Sequence, residues 1–420
     1  MSEWKTTRIR DVAEVYDGPH ATPKKVEKGP WYLSISSLRR GQLDLSKSVH
    51  ISEVDFPKWT RRVAPQVGDT LFSYETRLGQ AAYWALEAEA ALGRRMGLLR
   101  PKRGLIEPRY LCYAYLGPQF QEVIRQHTLS GATVDRIPVG EMPNWPILLP
   151  SLETQRAVLS VLNSIDGLIE NNRRRIEVLE EMARAIYREW FVRFRFPGHQ
   201  NVPIVDSPLG PVPEGWQVRQ LGDMSSVLTR GIAPKYSEDG EWRVINQRCI
   251  REGRVTLDLA RRHGRDVAGA KQVRPGDVLI NSTGVGTLGR VGVYRGPQEG
   301  VTVDSHVTIC RATDEAYVCW YGMSLISEQP TLERLGTGAT GQTELRRSDV
   351  EQLSLVQPSR PIAQMFAELI DPMHKMVDTL AGQISALSAA RDLLLPKLVT
   401  GQIDVSGLDL EAVDAKEEAG

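Results

Sequence analysis

Internal duplication constrains this chain more than any other feature. Trp4-x6-Asp11 returns as Trp216-x6-Asp223, Gly68-Asp69 as Gly276-Asp277, and Gly131-Ala132-Thr133 as Gly338-Ala339-Thr340. A Pro-led helical segment closes each half, from Pro150 and from Pro358, and the offset drifts only between 207 and 212 residues. Whatever fold one half adopts, the other must adopt too. Two similar but non-identical halves resemble a fused dimer, which suits a partner with its own two-fold symmetry. Duplex DNA is the commonest such partner.

The 420 residues leave room for two to four domains. Residues 1–150 read as a mixed domain, with alternation in Trp31-Tyr-Leu-Ser-Ile and helical spacing from Tyr110 to about His127. Residues 151–195 lose all glycine and proline except Gly167. Val158, Leu162, Ile165, Ile169, Asn172, Ile176, Leu179, Ala183, Ile186 and Trp190 recur there at steps of 3 and 4, a heptad seam. Asn172 is a polar seam residue of the kind that fixes register at some cost in stability. Residues 196–211 form a Pro-rich linker, expected to be stiff and extended. A second mixed domain follows over 212–357 and a second helix over 358–400. Its seam is Phe366, Ile370, Met373, Val377, Leu380, Ile384, Leu387, Arg391 and Leu394, and a shift of 208 overlays it on the first from Leu162 to Ile186. Pro396 is expected to stop or kink this helix close to Leu395.

Two superposable seams predict that the helices pair with each other. Each mixed domain precedes its helix, so antiparallel pairing puts the domains at opposite ends, related by a pseudo-two-fold axis. Parallel pairing would stretch the 21 residues from 196 to 216, with a reach of about 70 Å, along a helix of about 60 Å. The expected fold is therefore α+β: two similar mixed α/β domains separated by two long helices in an antiparallel intramolecular coiled coil.

The net charge is zero, which at first disfavours nucleic acid, but the charge is unevenly placed. Residues 1–150 hold 21 Lys/Arg against 16 Asp/Glu, residues 208–358 hold 18 of each, and residues 399–420 hold one Lys against six acids. The acidic tail (401–420), expected to be flexible, masks a basic first domain. No apolar run has the length of a membrane span, and the start does not read as a signal peptide. The four cysteines (Cys112, Cys249, Cys310, Cys319) form no CxxC pair, so no zinc site or disulfide framework is read, and a cytoplasmic location is expected. Cys112 in Tyr110-Leu-Cys112-Tyr113 and Cys319 in Tyr317-Val-Cys319-Trp320 read as repeated core positions.

Catalytic constellations are missing from the sequence. It has no GxxxxGK[ST] loop, no Asn-Pro-Pro-Tyr of the amino-methyltransferases, no nuclease-type Asp…Glu-x-Lys cluster, and its seven histidines are scattered. Gly284-x-Gly286-x-x-Gly289 matches a dinucleotide fingerprint as a string, but the following Arg290-Val-Gly-Val-Tyr reads as a strand, so a Gly-rich turn is expected. Asp314-Glu315-Ala316-Tyr317 lacks the nucleotide loop a helicase box needs. A long chain with no such site reads as a non-enzymatic recognition protein or scaffold, binding no cofactor or metal itself.

The densest basic stretch runs from Arg243 to Arg274 and contains Arg243, Arg248, Arg251 and Arg254 beside Asn246 and Gln247. Arg, Asn and Gln read base edges bidentately, and clustered Arg and Lys neutralise phosphates. Its counterpart in the first half holds Arg39, Arg40, Arg61 and Arg62. Aligning Trp31 with Trp242 and Gly41 with Gly253 sets Ser36-Ser37 against Gln247-Arg248: one frame, different reading residues. Arg77 and Arg290 mark a second pair of loops, and the Gly-Ala-Thr repeats a third. Arg173-Arg174-Arg175 reads as a solvated helix face or partner surface.

These features together resemble the specificity (S) subunit of type I restriction-modification enzymes. Pro211-x-Pro213-Glu-Gly-Trp216 looks like the start of a recognition domain. Pro150-Ser-Leu-Glu-Thr-Gln155-Arg156, Ile165-Asp166-x-x-Ile169-Glu170-x-Asn172 and Trp190-Phe-Val-Arg-Phe194 look like the central conserved helix. Arg391-Asp-Leu-Leu-Leu-Pro396-Lys397-Leu398-Val-Thr-Gly401 looks like the C-terminal one. The resemblance spans roughly residues 2–405. It implies two target recognition domains, each binding one half of a split, asymmetric double-stranded DNA target, with conserved helices that set the spacer. It also implies two modification subunits supplying S-adenosylmethionine and adenine methylation, and restriction subunits supplying ATP- and Mg-dependent translocation and cleavage. The first half departs from the family in lacking the Pro-rich lead-in, and Leu380 stands where the first helix has Asn172. The S subunit of a type IIB system shares this architecture. A coiled-coil scaffold without DNA binding and a self-sufficient methyltransferase are the readings of other classes.

Overall fold

The structure, a computed structural model, describes residues 4–131, 134–336, 344–405 and 407. Ala132-Thr133, the Gly338-Ala339-Thr340 repeat and the tail from 408 onward lie outside the described residues. The chain divides into two compact units, Met1–Asn171 with Gln383–Gly420, and Asn172–Gly382. The division cuts both long helices, so each unit holds one mixed domain and a share of each helix.

In the first unit, strand Lys5–Arg8 pairs antiparallel with Pro146–Leu149, clasping the start of the domain to its end. A four-stranded antiparallel sheet runs in the order Ala13–Asp17, Met96–Pro101, Thr70–Ser73, Ala81–Tyr83. A smaller sheet sets Val26–Tyr32 between Val49–His50 and Ala90–Ala91. Thr70–Ser73 is buried on both faces because successive side chains point opposite ways. Leu71 enters one core with Met96 and Leu98, and Phe72 enters another with Leu99, Tyr115 and the long-helix residues Val158 and Leu162.

The second unit repeats this plan. Gln217–Gln220 pairs with Ser354–Gln357. In a six-stranded sheet, Val278–Asn281 lies between Val307–Ala312 and Val291–Val293. Leu279 faces a core with Ile309, while Val278 and Ile280 face one that includes Phe366 and Ile370 of the second long helix.

The repeated Gly-Asp is the hinge of this frame. Gly68 and Gly276 adopt positive φ (103° and 90°), which glycine tolerates without penalty. The aspartate that follows is almost fully buried and receives a bidentate arginine. Arg100 donates to Asp69 at 3.0 and 2.7 Å, and Arg311 to Asp277 at 2.7 and 2.7 Å. The same carboxylate takes a backbone N–H from Gln66 or Arg274, at 2.8 Å in both. A buried charge tolerates desolvation only when paired and hydrogen-bonded this fully.

The long helices span Leu152–Tyr187 and Arg360–Leu398. In the first unit the early part of one packs with the late part of the other, joining Val158 and Leu162 to Leu395, Leu398 and Val399. In the second unit the order reverses, and Tyr187, Trp190 and Phe191 pack on Phe366. The helices therefore run antiparallel. Every seam residue is buried or half-buried, including Ile165, Leu179, Ile186, Met373, Ile384, Leu387 and Leu394 at the half-buried level. Each helix stops in a left-handed residue under a tryptophan: Phe194 (φ 58°) packs on Trp216, and Gly401 (φ 73°) lies against Trp4.

Several sequence expectations need correction. Residues 108–127 form two helices, Pro108–Leu116 and Pro118–His127, because Pro118 restarts the helix after an extended Gly117. Pro396 does not stop the second long helix, which continues to Leu398. The proline forfeits one hydrogen bond in the last turn while Leu395 and Leu398 stay in the core. The linker is not extended: Ile204–Val205 pairs with Val212–Pro213 around a turn closed by Ser207 and Gly210, with N–H···O distances of 3.1 and 3.0 Å. Trp31 and Trp242 do not share a slot. The Trp31 N–H donates to Glu89, and the matching bond in the second domain, to Gly300, comes from Arg243. Cys112 and Cys319 do not match either. Pro108 and Leu116 lie against Gly68 and Gly41 as Val318 and Ile326 lie against Gly276 and Gly253, which sets Cys319 where Arg109 stands.

Candidate nucleic-acid interface

Each domain builds the same corner from the same backbone bonds. Gly18 N–H donates to Met96 at 2.8 Å, as Gly231 does to Val307 at 3.1 Å. Tyr74 N–H donates to Arg95 and Ser282 N–H to His306 (3.0 and 2.8 Å), while Ile137 and Leu345 close onto Tyr74 and Ser282, both at 2.8 Å. Isolated bridges join Glu75 with Arg136 and Thr283 with Glu344. Four loops thus meet in register in both domains.

The side chains on this shared corner differ. In the first domain Arg95 pairs with Glu75 at 2.8 Å and donates to Thr76 at 3.1 Å. Two adjoining clefts share Asp17 and His20. One, of about 330 Å³, is lined by Lys58, Trp59, Arg61 and Arg62, and the other, of about 290 Å³, by Tyr74, Glu75 and Arg136. Burial, with Asp17 and Glu75 nearby, pushes the Tyr74 hydroxyl up to about 12, so it stays a hydrogen-bond donor. In the second domain Thr283 Oγ1 lies 2.8 Å from His306 Nδ1, and the His306 N–H donates to Asp304 at 2.9 Å. Burial raises the Asp304 carboxyl above its ordinary value.

A short helical turn abuts this corner: Ile35–Ser37 in the first domain, Gln247–Cys249 in the second. The join between turn and corner is made by different residues. Arg77 donates to the Ile35 carbonyl at 2.8 Å, whereas Gln247 Nε2 donates to the Thr283 carbonyl and hydroxyl at 2.6 Å each. Asn246 caps its turn by accepting from Arg248 N–H at 2.9 Å and donates to the Leu259 carbonyl at 2.8 Å. Asn246, Gln247 and Arg77, expected as readers, therefore act as braces here. The turns set Ser36, not Ser37, against Arg248.

The other candidate arginines divide into two groups. Arg39 pairs with Asp44 at 3.1 Å, Arg62 with Asp17 at 2.7 Å, and Arg40 with Asp392 of the second long helix at 2.6 Å. Arg254 pairs with Glu180 of the first long helix, and Arg290 donates to the Gly286 carbonyl at 2.7 Å. Arg61, Arg243, Arg248 and Arg251 are exposed, and their guanidinium groups have no partner among the described residues. Arg243 lies directly across the strand pair from Arg262, which concentrates positive charge on one face. The Gly284–Gly289 loop joins antiparallel strands Val278–Asn281 and Val291–Val293, so it lacks the strand-to-helix setting of a dinucleotide site. Sequence reasoning missed His20, Tyr74, Arg95, Arg136 and His306. Each sits next to a residue of the repeated frame, and the repeat itself was the available signal.

Residues 1–181 match the type I restriction modification DNA specificity domain. Over 97% of its length the chain is 24% identical to the type I restriction enzyme MjaIX specificity subunit of Methanocaldococcus jannaschii, covering 95% of that protein. Over 96% of its length it is 20% identical to the HindI specificity subunit of Haemophilus influenzae, covering all of it. Among solved structures, the S subunit of a type I restriction-modification system from M. genitalium superposes with a TM-score of 0.54 at 14% identity, over 94% of this chain and 96% of that one.

Proposed function

We infer that this chain belongs to the type I restriction-modification specificity subunits and acts as the DNA-reading component of such a system. The observation that carries the reading is the corner built twice on one backbone frame with unlike side chains. Two copies of one scaffold with different loops suit two different half-sites of one asymmetric target.

Within this reading, each domain binds one half of a bipartite sequence. Exposed arginines such as Arg248 and Arg243 supply bidentate donors to base edges or phosphates, and the braces hold the turn that presents them. The helix pair sets the unspecified spacer. Methyl transfer and cleavage belong to other chains: modification subunits that bring S-adenosylmethionine, and restriction subunits that bring ATP and Mg. Exposed apolar side chains on both helices support a docking role for them. Leu168, Val178 and Met182 lie on the first, and Met365, Leu369, Met376 and Leu393 on the second. No described helix is long and apolar enough to cross a membrane, and we place the complex in the cytoplasm with the DNA it would scan.

Methylome sequencing of a host expressing this chain with its modification partner tests the proposal. The expected result is adenine methylation at a split motif with an unspecified spacer. Methylation at a single short continuous motif would overturn it.

A further inference from the structure

The joint between a mixed domain and its own long helix is made differently in the two units. In the first, Arg109 on the domain helix donates to Asp166 on the long helix at 3.0 Å, and Tyr113, Arg391 and Gln42 donate to the same carboxylate at 2.5, 3.1 and 3.4 Å. In the second, Cys319 stands where Arg109 does, and His374, a shift of 208 residues from Asp166, stands in its place. A thiol facing an imidazole has nothing like the attraction of an ion pair. His374 has no hydrogen bond or ion pair among the described residues. Asp371, one turn earlier on the same helix, brings a carboxylate to the same point. One ligand atom from each of the three lies within 4.8 Å of the others.

We propose that Cys319, Asp371 and His374 bind a single zinc ion that does for the second joint what the Arg109–Asp166 ion pair does for the first. Sulfur, nitrogen and oxygen donors together favour zinc or cobalt over magnesium or calcium. Metal–ligand bonds of about 2.0 to 2.3 Å require the donor atoms to close to roughly 3.5 Å apart. Side-chain rotation on two helices supplies that movement. Binding transfers the thiol proton to solvent, so thiolate and carboxylate together balance the dication. The neighbouring cation, Arg295, lies within electrostatic reach of Asp378, Cys319 and Glu180, and burial holds its own pKa below the ordinary arginine value. Three protein donors leave the fourth position to water. Cys112, Cys249 and Cys310 are more deeply buried and have no comparable set of donors among the described residues.

The test is titration of the full chain, purified in chelator, with cobalt(II) and then zinc. The expected result is one cobalt per chain, with visible bands of a tetrahedral ion and a near-ultraviolet thiolate-to-cobalt band, both bleached by zinc. Cys319→Ser should abolish the thiolate band, and Cys112→Ser should leave it intact. His374→Gln should weaken cobalt binding by at least ~10-fold, since even losing a partner one shell further out costs that much. Absence of the thiolate band in the unaltered chain overturns the proposal, as does a band that survives Cys319→Ser. If Cys319→Ser does not fold, His374→Gln decides, and unchanged cobalt affinity there overturns it. The split-motif experiment stands independently of this outcome.

Discussion

The two mixed domains agree at the Gly-Asp turn and differ at the corner beside it. Asp69 with Arg100 and Asp277 with Arg311 repeat nearly the same bidentate geometry. At the corner, by contrast, Tyr74, Glu75 and Arg95 face Ser282, Thr283 and His306 across the repeat, with no residue in common. The difference teaches what each position can tolerate. A carboxylate buried in the turn needs a full set of partners, and Asp69 and Asp277 keep the same kind of arginine. A corner held by backbone bonds accepts any side chain that its neighbours can brace.

The comparison breaks most directly at the buried pairs. Replacing Asp69 or Asp277 with alanine leaves an uncompensated buried arginine and should cost about 3–5 kcal/mol. Urea unfolding of each variant checks this. Similar losses at both sites are expected, and a loss under about 1 kcal/mol at either would mean that the frame is not shared in energy. The helix pair offers a test of asymmetry. Phe366→Ala should remove about 3–5 kcal/mol, because the ring packs on Tyr187, Trp190 and Phe191. Val158→Ala, its seam equivalent, loses only two methyl groups and should cost about 2 kcal/mol. Equal losses would show that the aromatic cluster adds nothing beyond its aliphatic counterpart. The smallest effect sharpens the division between readers and braces. Arg248→Ala should relax the second half-site alone by about 1–3 kcal/mol without changing stability, read by binding to DNA variants. Gln247→Ala should instead cost about 1 kcal/mol of stability, read by the same unfolding assay.

Most of the architecture was legible because it rests on period and repetition. The seams follow from spacing alone, and the Gly-Asp pairs mark the frame in both halves. Direction was also legible, since each domain precedes its helix. What stayed hidden depends on atoms rather than patterns. The five prolines between residues 196 and 216 read as an extended linker, because composition does not reveal that Ser207 and Gly210 close a hairpin. Trp31 and Trp242 invited a one-residue misalignment, since two tryptophans attract attention and backbone bonds have no letter. Asn246 and Gln247 looked like base readers for a physical reason. The amide that reads adenine is the same group that caps a turn or braces a loop.

Arg40 with Asp392, and Arg254 with Glu180, have a further consequence for solution behaviour. Basic residues neutralised inside the chain displace no counterions when DNA binds. If, of the candidate arginines, only Arg61, Arg243 and Arg251 meet phosphate, the logarithm of affinity should fall against the logarithm of salt with a slope of about −3, not the −9 or so that all ten would give. A subunit of that kind would hold its target mainly by fit, and would scan DNA at moderate ionic strength without clinging to every phosphate it passes.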